Sequence, residues 1–396
     1  MTKNIKISFT GDLMVLIPQL KASYINATKA YNFDAIFSEI SKYLKKSDYV
    51  IGNLETPLAG EALGYTDKDT VFNTPIEFGI SLKTAGFSYL SIANNHCLDR
   101  HSVGLRNTIN NLRNINIDFG GGYLNNSESK SDDCIKIVNK KKIAIFSYTY
   151  GTNSQWQNNK LGEDEKYIVD LLREQDDYKD VGSSNFVTLK SFIKRVLPQS
   201  IREKIKPIVI QDCVKENNLD EEYINRLKER VYNARKAADI VILYLHSGGQ
   251  YNSSIGNYTK NLVDEISSWG VADAIIINHP HCVLKHEWIN NTLITYSLGN
   301  FCFTPNWGYY YKGVYADYSI VLNAYINPQT NTIEDYTFFI TKCVRKKDGN
   351  SVVYHVKDIP TKSTYKDCLA VLSRFFDKSI TSFDINKEEH NIKDFY

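Results

Sequence analysis

At 396 residues, 42% hydrophobic and 23% charged, the chain is long enough for one large domain or two ordinary ones around a sizeable core. Lysine and arginine (47) nearly balance aspartate and glutamate (45), so a net charge of +2 makes no case for a nucleic-acid partner, which needs a basic surplus or stripe. Seven widely spaced cysteines without a CxxC pair argue against a disulfide framework or a structural zinc knot, and no apolar run near the N-terminus reaches signal-peptide or membrane-helix length, so the expectation is a cytoplasmic chain with no transmembrane segment, recruitment to a membrane through partners being left open.

The first expected strand is Ile5 to Phe9, running into Thr10-Gly11-Asp12. Apolar residues at Phe33, Ile36, Phe37, Ile40 and Leu44 have helical spacing. A short strand at 48–51 then ends in Gly52-Asn53-Leu54-Glu55. Ile76 to Ala85 reads as a helix stopped by Gly86, and Phe87 to Ala93 as a strand ending in Asn94-Asn95-His96. A helix from Val103 to Asn114 follows, and 134–148 reads as a hairpin across Asn139-Lys140-Lys141. Residues 151–220 break this rhythm and are read as a mainly helical insertion. The pattern resumes with a helix at 221–238, a strand Ile240 to Leu245 ending at His246, and a helix at 257–269. A strand Ala274 to Ile277 ends in Asn278-His279-Pro280-His281, and Leu293 to Tyr296 ends in Ser297-Leu298-Gly299-Asn300-Phe301. Three β segments within 318–356, a helix near 365–376 and a polar tail close the chain. Residues 1–325 are read as one domain carrying the 151–220 insertion, and 326–396 as a β-rich extension packed on its core.

Strands alternating with helices argue for an α/β fold with parallel strands, and two such halves suit a two-sheet sandwich. In sheets of this kind ligands bind beyond the C-terminal strand ends. Five such ends carry Asp12, Glu55, Asn94-Asn95-His96, His246 and the pair His279 and His281, which is half of the eight histidines. Carboxylate oxygen, amide oxygen and imidazole nitrogen together suit a divalent ion, Mn, Mg, Zn or Fe. A carboxylate that gives one oxygen to each of two ions allows a two-ion clamp on a phosphoryl group. The aromatic run Trp307-Gly308-Tyr309-Tyr310-Tyr311 is read as a wall for a sugar or peptide, or as loop packing.

On Phe9-Thr10-Gly11-Asp12, Gly52-Asn53-Leu54-Glu55-Thr56-Pro57-Leu58, Phe72-Asn73-Thr74-Pro75, Ser91-Ile92-Ala93-Asn94-Asn95-His96-Cys97-Leu98-Asp99, His246-Ser247-Gly248-Gly249-Gln250-Tyr251, His279-Pro280-His281-Cys282-Val283 and Tyr296-Ser297-Leu298-Gly299-Asn300-Phe301, the sequence resembles the CapA family of poly-γ-glutamate capsule synthesis proteins. That family is similar to calcineurin-like metallophosphoesterases. The resemblance implies an α/β/β/α sandwich and one or two divalent ions. It implies that Asp12 and His281 hold the first ion, that Asn95, His246 and His279 hold the second, and that Glu55 bridges them. His96, oriented by Asp99, would donate a proton to the leaving oxygen. Asn53, Asn94 and Asn300 would contact substrate or support the ligands. The implied activity is hydrolysis of a phosphoester by metal-activated water, with an anionic small molecule or polymer as substrate and capsule-synthesis proteins as partners. The alternative is a non-catalytic, metal-binding assembly factor for a capsular polymer. Three features depart from the metallophosphoesterase pattern: Met14 stands where a histidine is usual, Glu55 replaces the bridging aspartate, and Ser247 and Gln250 replace a Trp and a Glu.

Overall fold

The computed structural model describes residues 3–68, 70–129, 134–179, 214, 218–252, 254–305 and 313–396. Most of the expected insertion, and the aromatic run beginning at Trp307, lie outside the described residues. Between residues 151 and 179 the chain is largely irregular, with a single helical turn at Ser154–Gln157 and a 3-10 turn at Lys166–Ile168.

Two mixed sheets form the body of the protein. In the first, Ile5–Leu13 pairs in parallel with Tyr49–Leu54, and Tyr89–Ser91 and Asp118–Gly120 continue that parallel run. On its other side Tyr318–Asn327, Thr332–Arg345 and Ser351–His355 add antiparallel strands. In the second sheet Lys141–Thr149, Ile240–His246, Ala274–Asn278 and Thr292–Thr295 are parallel, flanked by the antiparallel edge strands Ile135–Val138 and His286–Ile289. The edge strand His286–Ile289 is absent from the sequence reading. Its turn to Thr292 runs through Asn290 and Asn291, both at positive φ (50° and 66°), the backbone of a tight two-residue hairpin.

Period-two alternation decides the layering. Ile5, Ile7, Phe9 and Ile51 share one buried cluster with Ile143, Ile145, Ile240, Ile242 and Tyr244, the filling between the sheets. Their alternates, Val50, Val241, Leu243 and Leu245, belong to a second cluster with residues of the flanking helices, such as Phe78, Leu105, Leu227 and Leu262. The order is therefore helix, sheet, sheet, helix. Burying each such Ile or Phe contributes about 1.5–3 kcal/mol, so the strand interiors dominate the stability of the sandwich.

The helices follow their sequence signals closely. Ile76–Ala85 ends at Gly86 with φ 117°, a left-handed C-cap. Glu221–Ala237 has Glu221 and Glu222 in its first turn and Arg235 and Lys236 in its last, as the helix dipole favours. The helix expected from Phe33 to Leu44 instead breaks into Asp34–Phe37 and Ser41–Leu44. At the break the Ser38 hydroxyl donates to the carbonyl of Ala35, a side-chain bond that competes with helical pairing.

The C-terminal helix Lys362–Phe375 buries Cys368, Val371, Leu372 and Phe375 in the intersheet cluster. The segment after it, expected as a polar tail, is anchored. A short strand at His390–Asn391 pairs with Thr337 and Phe338, and Phe383, Ile385 and Phe395 pack against the same cluster. Among the described residues no helix is long and apolar enough to cross a membrane.

Candidate metal centre

Register lines up the chemistry. In the first sheet Asp12 is the Cα partner of Asn53 on one side and of Asn300 on the other. In the second sheet His246 stands beside Asn278 and Thr149. These are the C-terminal ends of the parallel strands in both sheets, so residues hundreds of positions apart share one rim. Gly11 allows the rim to close: a Cβ there would lie 1.7 Å from the Gly299 carbonyl oxygen, and Asp12 N–H donates to that same oxygen at 3.0 Å.

Asp12, Glu55, Asn95, His246, His279 and His281 are all buried, and the structure brings them together. Glu55 Oε1 lies 3.5 Å from His246 Nε2 and 3.7 Å from His281 Nε2. His281 Nδ1 is 3.2 Å from Asp12 Oδ2. His246 Nε2 is 2.9 Å from Asn95 Oδ1. Two triads result, Glu55–His246–His279 and Asp12–Glu55–His281, each with ligand atoms within 4.8 Å of one another, and Glu55 belongs to both.

A divalent ion fits this donor set. An ion with bonds of about 2.1 Å needs its ligand atoms roughly 3–4 Å apart. Two buried carboxylates facing imidazoles bear a desolvation cost of several kcal/mol each, which a cation between them offsets. Burial, reinforced by neighbouring imidazoles, pushes His246 and His279 well below the ordinary histidine pKa. They are therefore neutral near pH 7, the form that ligates metal. His279 has φ 108° and His281 φ 56°, and a non-glycine residue in this region costs on the order of 1–3 kcal/mol. The strained turn around Pro280 turns both imidazoles to one side, and the His279 N–H reaches Asp12 Oδ2 at 3.4 Å.

His96 and Asp99 form a separate unit beside the cluster. The His96 Nδ1–H donates to Asp99 Oδ2 at 2.8 Å, and the same oxygen accepts from the Phe72 N–H at 2.6 Å. The Phe72 ring packs on the imidazole with centroids 4.3 Å apart.

The three asparagines expected at the substrate have their amides engaged by protein. Asn53 Nδ2 donates to Asp12 Oδ1 at 2.8 Å. Asn94 Nδ2 donates to the carbonyl of Leu54, and Asn94 Oδ1 accepts from the His96 N–H. Asn300 Nδ2 donates to the carbonyls of His281 and Ala316.

Sequence reasoning gave no site role to four neighbours, of which Phe72 and Tyr251 lie inside the motif stretches and Tyr150 and Asn153 lie outside them. Tyr150 packs on His279 with ring centroids 5.0 Å apart, and Tyr251 on His281 at 5.3 Å. Asn153 Oδ1 accepts from Asn95 Nδ2 at 3.3 Å, and Phe72 backs His96. The available signal was the strand Lys141–Thr149, whose end at Tyr150 lies in the same row as the other motif-bearing ends.

A family model described as bacterial capsule synthesis protein PGA_cap matches residues 6–305. The chain is 28% identical over 302 residues to the PGA biosynthesis protein CapA of Bacillus subtilis (strain 168), covering 76% of this chain and 63% of that protein. It is 25% identical over 280 residues to the capsule biosynthesis protein CapA of Bacillus anthracis, covering 70% and 56%. The match thus spans less than two thirds of either relative. Among solved structures, a novel phosphatase of Mycoplasma pneumoniae aligns at 13% identity and TM-score 0.38, over 86% of this chain and 94% of that one. The calcineurin-like phosphoesterase YfkN of Bacillus subtilis aligns at 10% and 0.41, over 94% and 97%. Scores this low carry no weight, and the layering rests on the sheets and clusters themselves.

Proposed function

The chain belongs to the family of bacterial capsule synthesis proteins, and from that premise we propose that its buried centre binds one or two divalent ions and hydrolyses a phosphoester in the making of a capsular polymer. The observation that carries this reading is Glu55. One of its oxygens lies 3.5 Å and 3.7 Å from imidazole nitrogens of the two different triads, the place of a shared ligand. When bound, such ions polarise a phosphoryl oxygen and make water nucleophilic at neutral pH. Asp12 and His281 hold one side of the centre, and Asn95, His246 and His279 the other. Asp99 fixes the His96 ring through Nδ1, leaving Nε2 to protonate the leaving alkoxide. Help of that kind is worth about 10²–10⁴-fold in rate.

The test is turnover of bis-(p-nitrophenyl) phosphate with added Mn²⁺, measured beside His96→Ala. Mn²⁺-dependent turnover that drops by at least two orders of magnitude in His96→Ala supports the reading. Wild-type protein that binds Mn²⁺ without turning over any of a panel of phosphomono- and diesters overturns the hydrolase.

A second reading, a metal-binding assembly factor, is favoured by Met14. That residue is buried among apolar side chains, so the Asp12 side has one imidazole fewer than a metallophosphoesterase. Metal binding without turnover is the result this reading expects.

A further inference from the structure

We propose that Asn300 is a positioning residue that decides which nitrogen of His281 carries hydrogen and so presents His281 Nε2 as a ligand. The proposal rests on reading the cluster as a cation centre.

The count of donors and acceptors around the ring leads there. Both hydrogens of the Asn300 amide are committed: Nδ2 donates to the His281 carbonyl at 3.1 Å and to the Ala316 carbonyl at 3.1 Å. Carbonyls only accept, so the amide has one orientation, and Oδ1 is the atom that lies 3.0 Å from His281 Nδ1. The second neighbour of Nδ1 is Asp12 Oδ2, 3.2 Å away. Two acceptors on one ring nitrogen require the hydrogen to sit there. Nε2 is then left with its lone pair, 3.7 Å from Glu55 Oε1. Two lone-pair atoms face each other across a gap the size of a coordinated ion.

The strand arrangement holds this in place. Asn300 is the direct Cα partner of Asp12 in parallel pairing, so both acceptors approach Nδ1 from neighbouring strands. Asn300 also clasps the His281 carbonyl, at a residue whose φ of 56° needs support.

The facing half of the centre has the opposite pattern. Asn53 Nδ2 donates to Asp12 Oδ1 and lies 3.2 Å from His246 Nδ1. The Asn53 amide is oriented independently, because its Oδ1 accepts from Asn94 Nδ2 at 3.2 Å. A donor faces His246 Nδ1, so the hydrogen of His246 is on Nε2, where Asn95 Oδ1 accepts it at 2.9 Å. The metal-free chain thus holds two tautomers side by side, and the Asp12–Glu55–His281 half is the one arranged for an ion in advance.

The measurement is imidazole ¹⁵N–¹H correlation NMR on the metal-free, ¹⁵N-histidine-labelled full chain, with His281 and His246 assigned through His281→Gln and His246→Gln. Expected are a hydrogen-bearing Nδ1 and bare Nε2 for His281, and the reverse for His246. A His281 hydrogen on Nε2, or an even exchange between the nitrogens, overturns the proposal. In Asn300→Ala the His281 signature shifts to a mixture and Mn²⁺ affinity, by titration calorimetry, falls about 10–100-fold. Unchanged affinity in a folded Asn300→Ala overturns it too. Should that variant fail to fold, the wild-type spectrum still decides. Should the wild type bind no divalent ion, the cation-centre reading falls, while the tautomer result stands or falls by itself.

Discussion

Individual side chains in the rim act through their position between partners. Glu55 is a buried carboxylate with one oxygen 3.5 Å and 3.7 Å from imidazoles of different triads. Glu55→Gln keeps the shape and removes the charge. We expect it to abolish tight Mn²⁺ binding and with it the Mn²⁺-induced rise in Tm, since a ligand stabilises only as far as it binds the folded state. Without metal the variant should be at least as stable as the parent, because burying a carboxylate is costly. Differential scanning calorimetry with and without Mn²⁺ checks both statements. His96 and Asp99 predict the converse separation. Asp99→Asn keeps an oxygen for the Phe72 N–H but no longer holds the His96 ring in one tautomer. It should lower kcat by about two to three orders of magnitude, within the range general-acid help supplies, at an unchanged Mn²⁺ dissociation constant. Loss of metal binding in Asp99→Asn would place this pair among the ligands instead.

Elements are placed by close approach as much as by hydrophobic pattern. The strand Ile5–Leu13 continues through its motif because Gly11 lets the Gly299 backbone come close; a Cβ at 1.7 Å from that carbonyl oxygen admits no small adjustment. Gly11→Ala must push apart the strands carrying Asp12 and Asn300. A loss on the order of 3 kcal/mol or more is expected from overpacking and a broken backbone bond. It should appear as a lower urea midpoint and weaker Mn²⁺ binding in the same variant. A normal midpoint would mean that the strands have slack at this point. At this scale the periodicities of the sequence were sound guides. Ile76–Ala85 and Glu221–Ala237 lie where spacing and caps put them. The hairpin turn at Asn139 and Lys140, both at positive φ, also fell where expected. The edge strand His286–Ile289 was illegible because its pairing is made by the turn Asn290–Asn291 more than by its own alternation.

For the molecule as a whole, the C-terminal segment closes the sandwich, and two histidines tie it down. His286 Nδ1 donates to the Phe375 carbonyl, while its Nε2 lies 2.6 Å from the Tyr396 hydroxyl. His355 Nε2 donates to the Glu388 carbonyl, and its Nδ1 accepts from the Lys357 N–H. Burial pushes both rings down to about 4 from an ordinary 6.5. A group whose folded pKa lies below its unfolded value binds protons more readily when unfolded, so stability drops as pH falls. The loss begins near 6.5 and is complete below about 4. Each ring accounts for on the order of 3 kcal/mol at most. Urea unfolding at pH 7 and pH 5 should show lower stability at pH 5, and His286→Gln should flatten part of that dependence. A pH-independent midpoint across this range would show that the segment is not held by neutral imidazoles.

Which polar groups crowd the rim was written in the one-dimensional chain, because each sits directly after an apolar strand, where a polar side chain must be exposed or used. Asp12, Glu55, Asn95, His246, His279 and His281 were legible for that reason, as was the alternation that sorts Ile7 from Ser8; Ile240 to Leu245 is apolar throughout, so only the packed sheets put Ile242 and Leu243 in different layers. Tertiary structure alone decided what those atoms face. Cross-strand register set Asp12 against Asn300, sheet packing carried His281 to Glu55, and Tyr150 and Asn153 entered from a strand end with no polar motif to announce it. A sequence records which groups are present, but hydrogen-bond partnership depends on distances of about 3 Å between atoms far apart along the chain, and only the packed sheets set those distances.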